Sequence, residues 1–258
     1  MAGTAQGGHG RTGEWLGELI DLSRPLEQAT VDALFGDLVA DGQNAYFKDF
    51  AIEVAVDHEV ATAYSCIVRL PDHIATHMDA PIHAVAGGAK LEGVDIRRLI
   101  GDAVVLDLDR QGADYGYTVD DLEAVGGDIG PGDIVLIYSG YADADLSTRM
   151  RQTFLTQSAA QWLVDRGVHA VGVEPCSPDP LYAGMFEYGW LEKETPNPPA
   201  WPAHTTLLRN DVYIIEGLTN LDRILGRRVH FAALPALVPG LSGFPVRAVA
   251  WLDPEPET

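Results

Sequence analysis

Cysteine is scarce in this chain: Cys66 and Cys176 are the only two among 258 residues. That excludes a disulfide-built scaffold and reads as two reduced thiols of a cytoplasmic protein. Positive charge is also scarce, with 17 Lys and Arg against 38 Asp and Glu and a net charge of −21. Such a field repels polyanions and argues against nucleic acid or an anionic membrane surface as partner. The acidic residues are spread along the chain, as on a solvated surface. No apolar run reaches 18 residues, so no membrane-spanning helix is predicted. Residues 1–13 (MAGTAQGGHGRTG) lack the apolar core of a signal peptide. They read as a flexible tail, as does the acidic end 254–258. No internal repeat and no Pro/Ser-rich linker divides the rest. The Gly126–Gly132 stretch lacks the lysine of a phosphate-binding loop and reads as a turn. What is left is a globular composition, 47% hydrophobic, predicted to form one domain over 14–253.

The pattern within that domain is α/β with a mixed sheet and peripheral helices. Strands are predicted at the end of 15–22, at 103–108, 134–138, 169–173, 212–215, 229–234 and 246–252. Each is a short apolar run bounded by turn residues. Residues 51–70 alternate loosely and are rich in β-branched side chains, which predicts a hairpin. Val31, Leu34, Phe35 and Leu38 follow a helical period across 29–40. Thr118 with Asp121 three residues on reads as an N-cap opening a short helix. A second helix spans 155–167 and closes on Gly167. A short helix is predicted at 205–209 and a helical turn at 221–225. Residues 174–203 show no periodicity and carry Tyr182, Phe186, Tyr188, Trp190 and Trp201. An excursion of that length predicts a binding loop.

The most informative stretch is His73-Ile74-Ala75-Thr76-His77-Met78-Asp79-Ala80-Pro81-Ile82-His83, which holds three of the eight histidines and no basic residue. Imidazole nitrogen with carboxylate oxygen is a ligand set for Zn(II), Mn(II) or Fe(II). A helix would place His73 and His77 on one face but turn Asp79 away, and Pro81 would break it. In an extended segment His77 and Asp79 project to the same side, and a turn at Ile74-Ala75 swings His73 in beside them. Four polar groups buried without a metal would cost on the order of 1–3 kcal/mol for each one left unpaired. The stretch therefore predicts a metal site.

The segments HIATHMDAPIH, GDIVLIYSGY, AVGVEPCSPD and HTTLLRNDVYIIEGLTNLDRI, with the opening IDLSRPL, resemble the cyclase-family metal hydrolases, which include kynurenine formamidases and isatin hydrolases. The resemblance runs over about residues 15–252. It implies a swivelling β/β/α-type fold and a divalent metal, Zn or Mn, as one or two ions per chain. By the same resemblance His73, His77 and Asp79 are ligands, Asp79 bridges toward a second ion completed by His204 and Glu216, and His83 moves protons. Five ligands exceed one tetrahedral zinc site and favour two ions, roughly 3.5–4 Å apart in such sites. Ala75 stands where the family usually carries glycine; a positive φ there would strain Ala, and the expectation is instead a local turn slightly different from the family's.

The resulting expectation is hydrolysis of an amide, lactam or lactone of a small aromatic molecule by metal-activated water. Tyr182, Phe186, Trp190 and Trp201 would supply an apolar wall, and the chains would assemble as a homodimer or larger homo-oligomer. Two alternatives stand beside it. His77, Asp79 and His204 also form a two-histidine, one-carboxylate pattern suited to an Fe(II) oxygenase, and a family member could catalyse dehydration or ring closure. His58, His169 and His230 read as surface or packing histidines and Cys176 as a packed thiol. Arg24, Arg209 and Arg247 are equal candidates for a substrate carboxylate.

Overall fold

The computed structural model describes residues 17–32, 49–109, 115–141, 152–180 and 201–253. Both predicted tails, most of the 29–40 helix, and Tyr182, Phe186 and Trp190 lie outside these residues; 28–32 is helical. The strands are β1 (Leu19–Asp21), β2 (Ala51–Val56), β3 (Ser65–Arg69), β4 (His77–Asp79), β5 (Ile100–Asp107) and β6 (Gly116–Tyr117). They continue with β7 (Ile134–Tyr138), β8 (Phe154–Leu155), β9 (Ala170–Val173), β10 (Tyr213–Glu216), β11 (Arg228–Pro235) and β12 (Gly243–Trp251). Besides the 28–32 segment, helices α1 (Val119–Val125), α2 (Gln157–Asp165) and α3 (Pro202–Arg209) lie between the strands in the described residues.

Eight strands form one sheet in the order β1-β12-β11-β5-β7-β9-β10-β4, and β4 also pairs with β12, so the sheet closes on itself. The run β5-β7-β9-β10 is parallel. Parallel neighbours need crossovers, which here contain α1, α2 and α3 in turn. The remaining pairings, including β10 with β4 and β4 with β12, are antiparallel. The hairpin β2–β3 stands apart from this sheet.

Period-two alternation explains the two cores. On β5, Ala103 and Val105 face one cluster while Val104 and Leu106 face the other; on β7, Ile134 and Leu136 separate from Val135 and Ile137 in the same way. The first set joins Phe231, Ala248 and Ile20 inside the closed sheet. The second packs under Leu122 of α1, Ala160 and Leu163 of α2, and Leu207 of α3. Helix ends follow their local chemistry. Thr118 and Asp121 form a reciprocal capping box on α1, Thr156 caps α2, and Gly167 takes a φ of 74° just past it. The helix predicted at 205–209 instead begins at Pro202, whose ring suits the first helical position, and so takes in His204.

Among the described residues no helix is long and apolar enough to cross a membrane. Gly172 in β9 is a closely packed point of the inner core: a Cβ there would meet Leu136 Cδ2 and Leu218 Cδ1, each at 2.7 Å. Both leucines are fully buried and have no room to yield. Gly172→Ala is therefore expected to lower stability by about 1–3 kcal/mol, the usual cost of overpacking. Urea unfolding measures it, and an unchanged midpoint would contradict this packing.

Candidate metal centre

The site lies on the helix-covered face of the sheet, where β4, β10 and α3 meet. β4 is only three residues long, and its alternation sends Met78 into the inner core while His77 and Asp79 point outward together. Register then does the rest: His77 lies opposite Glu216 and Asp79 opposite Ile214 on β10. Packing of α3 on β10 delivers His204. His73 enters from the turn before β4, and His83 from the short 3-10 turn Pro81–His83 that follows.

The turn before β4 takes the strained alternative, with Ala at a positive φ. Ala75 has a φ of 55°, a left-handed conformation that costs an L-residue roughly 1–2 kcal/mol. It is held there from both sides. Its carbonyl accepts from His77 Nδ1 at 3.2 Å, and Gly217 packs so closely that a Cβ on it would lie 2.4 Å from that carbonyl oxygen. Thr76 Oγ1 donates to the Gly217 carbonyl at 2.7 Å, closing the turn onto the end of β10.

Six predicted site residues converge. His73 Nδ1 is 2.7 Å from Asp79 Oδ1, and His77 Nε2 is 3.5 Å from Asp79 Oδ1 and 3.3 Å from Glu216 Oε2. His204 Nε2 is 3.4 Å from Asp79 Oδ2 and 3.1 Å from Glu216 Oε1. Two ligand clusters share Asp79: His73, Asp79 and His83, and His77, Asp79 and Glu216, with the donor atoms of each within 4.8 Å of one another. The His83 ring lies 3.9 Å from that of His73, and Trp201 stacks on His83 at 5.4 Å and 21° while lying tilted against His204 at 5.3 Å.

Asp79 and Glu216 are buried, yet no lysine or arginine is among the groups acting most strongly on either. Compensation falls to imidazole. Burial alone would lower the His77 pKa, but Glu216 and Asp79 outweigh it and push it up to about 9. Burial likewise opposes charge on His204, and Asp179, Asp79 and Glu216 drive its pKa well above the ordinary value. Burial raises Asp79, but the surrounding histidines hold it well below the carboxylate range. His83 goes the other way: burial lowers it to about 4, with Asp79 opposing and His73 and His204 reinforcing, so it is neutral at pH 7. Even so, His77 Nε2, Asp79 Oδ2 and Glu216 Oε1 are buried without a hydrogen-bond partner. Three orphaned donor atoms converging at this spacing fit a divalent cation, which would replace the protons on the imidazoles.

Three polar neighbours have no counterpart in the sequence reading. Asp179 receives His204 Nδ1 at 2.7 Å, and Ser242 Oγ lies 2.8 Å from His73 Nε2 while donating to Asp72 Oδ2 at 2.7 Å. Only the position of Asp79-like carboxylates near histidines in sequence could have hinted at Asp72; Ser242 lies 169 residues from His73. Cys176 packs with Val31, Ile74 and Tyr141. Of the three arginines, Arg247 pairs with Asp21 and Arg209 is exposed, whereas Arg24 lies beside the site's supporting turn, its backbone N–H donating to Thr76 Oγ1 at 2.8 Å. His230 is half-exposed between Asp102 and Asp253.

A family model described as "Putative cyclase" matches residues 20–180, more than half of the chain. The chain belongs to the cyclase family. Among its relatives in that family, an isatin hydrolase of Roseibium aggregatum is 27% identical over 201 residues, covering 70% of this chain and 72% of the relative. A kynurenine formamidase of Bacillus cereus is 25% identical over 246 residues, covering 93% and 98%. The cyclase-family fold is matched by an isatin hydrolase crystal structure bound to the product analogue thioisatinate, with a TM-score of 0.74, 23% identity and 92% of each chain covered. A potential metal-dependent hydrolase with cyclase activity matches with a TM-score of 0.68 and 24% identity over 93% of this chain and 99% of the other.

Removal of one donor should empty the site. His77→Ala and Asp79→Ala proteins, purified alongside the wild type, are expected to carry much less bound metal by elemental analysis. Full metal content in both would sink the assignment.

Proposed function

We propose that this protein is a metal-dependent hydrolase of the C–N bond in a small aromatic amide, cyclic or open-chain, with a related lactone as the nearest alternative substrate. The observation that carries the reading is the set of three buried, unpartnered donor atoms on His77, Asp79 and Glu216 beside a neutral His83. His73, His77, Asp79, His204 and Glu216 would hold the metal, Zn or Mn, as one or two ions sharing Asp79. When bound, such a metal lowers the pKa of water to about 7 and polarises a carbonyl oxygen. Relatives named isatin hydrolase and kynurenine formamidase support the choice of substrate class.

The chain's own part is proton handling and shape. Water adds to the carbonyl carbon, and the proton it sheds passes to a ring nitrogen of His83, which is uncharged and can accept it. His83 then returns that proton to the departing nitrogen as the C–N bond breaks, leaving an acid and an amine. Trp201, over His83 and His204, supplies a flat apolar surface at the site's edge. Its 5.4 Å separation from His83 also keeps that imidazole shielded from water. Cys66 and Cys176, not joined in a disulfide, suit a reducing compartment such as the cytoplasm.

Isatin and N-formylkynurenine are the first substrates to assay, in ¹⁸O-water and with oxygen removed. Wild-type protein should turn over at least one of them without oxygen and place ¹⁸O in the acid product. His83→Ala should retain metal and lose at least about 10²-fold in turnover, the usual worth of a general acid–base group. Metal loss in that variant would make His83 a ligand. Strict dependence on O₂ would replace the hydrolase with the Fe(II) oxygenase, and label-free product formed with release of water would favour dehydration.

We also propose a homodimer or larger homo-oligomer. The β2–β3 hairpin carries Ile52, Val54, Tyr64, Ile67 and Val68 at 50–60% exposure, an apolar surface that association would cover. Light scattering at micromolar concentration should therefore give at least twice the 27.8 kDa of one chain. A particle of single-chain mass would refute assembly.

A further inference from the structure

His204 is held from two directions. Its Nε2 faces the metal centre, 3.4 Å from Asp79 Oδ2 and 3.1 Å from Glu216 Oε1. Its Nδ1 donates to Asp179 Oδ2 at 2.7 Å. That same carboxylate accepts two backbone N–H groups of the first turn of α3, from Ala203 at 2.8 Å through Oδ1 and from His204 at 2.9 Å through Oδ2. Trp201, the N-cap residue, makes no capping bond with its side chain, so Asp179 supplies from outside the helix what a cap would supply from within.

Asp179 is itself fixed. It is fully buried, its N–H donates to Ser177 Oγ at 3.0 Å, and its carbonyl accepts from Gln152 Nε2 at 2.9 Å while that nitrogen also holds the Ser177 carbonyl at 3.0 Å. The carboxylate therefore sits at a defined point in the loop after β9, and the chain returns to it 24 residues later at Ala203. A neutral imidazole carries one ring proton. An acceptor 2.7 Å from Nδ1 keeps that proton on Nδ1 and leaves the Nε2 lone pair for the site.

We propose that Asp179 is a positioning residue: it sets the tautomer and ring orientation of His204 and locks the start of α3, so that Nε2 is directed at Asp79 and Glu216. This rests on the metal reading above. It differs from a purely structural cap in one respect, because its effect on metal binding must pass through His204.

A double-mutant cycle in zinc affinity separates the two. Chelator competition on metal-free wild type, Asp179→Asn, His204→Ala and the double variant measures it, with thermal melting of each metal-free protein as the check on folding. Asp179→Asn should weaken zinc binding about 10–100-fold. In the His204→Ala background the same substitution should change nothing further. Equal losses in both backgrounds, or no loss in the single variant, would overturn the proposal. Should Asp179→Asn melt early, Asp179→Ser, which retains a helix-end acceptor, takes its place in the same cycle. If His204→Ala binds no zinc, ¹⁵N spectra of the zinc-loaded histidines decide: an Nδ1–H signal for His204 in wild type that persists unchanged in Asp179→Asn overturns the proposal, and its loss supports it. Wild type that takes up neither zinc nor manganese removes the metal reading and the proposal together, whereas normal uptake with an unaffected Asp179→Asn removes only the proposal.

Discussion

Two carboxylates, Asp79 and Glu216, are buried side by side, and among the described residues their ion-pair contacts are with imidazoles. Taking an ion out of water costs several kcal/mol even after the protein relaxes, and two like charges in proximity add to that. The ordinary remedy, a lysine or arginine beside them, is absent from the groups that act on either most strongly. The chain instead surrounds them with His73, His77 and His204, whose charge is adjustable and whose nitrogens can change from holding a proton to holding a metal. Much of the local architecture follows from that arrangement.

The three-residue β4 is one consequence. A longer strand would place further side chains of alternating type along the same face, but Ala75 turns the chain before it and Pro81 after it. Both boundaries bring an additional histidine to the rim of the site. The left-handed Ala75 stores strain that the contact with Gly217 sustains, and the same contact ties the turn to the end of β10 where Glu216 resides. Closure of the sheet through β4 and β12 is a second consequence. It puts the packed inner core immediately behind Met78, so the polar face of β4 is supported by close-packed leucine, isoleucine and alanine rather than by solvent.

His83 shows how position decides chemical role within a single residue type. His77 and His204 lie against the carboxylates and are driven toward the charged form, with His77 at about 9. His83 lies a ring's width farther out, is nearly as dry, and has two neighbouring imidazoles to oppose its charge, which holds it at about 4. Environments that push like groups apart in pKa are the usual basis for dividing labour between binding and proton transfer.

Local pattern carried much of this in the sequence. The i, i+2 spacing of His77 and Asp79 with Pro81 beyond them demanded an extended segment, and β4 is extended. The Thr118–Asp121 pair specified its capping box, and the apolar runs from Ala103 and Ile134 specified buried strands, whose parallel pairing came from the structure. These are short-range properties, decided by steric alternation and by hydrogen bonds within a few residues. Other features were beyond its reach because they depend on residues far apart. The conformation of Ala75 is set by Gly217, the start of α3 by Asp179, and the outward face of His73 by Ser242, 169 residues away. The sequence by itself determined which donor atoms the chain owns and which of them must lie on one side of a strand. Only the tertiary structure decided that β4 closes the sheet, that His204 and Glu216 arrive opposite it, and that their charges are left to compensate one another, because those outcomes are fixed by packing between segments that no local rule connects.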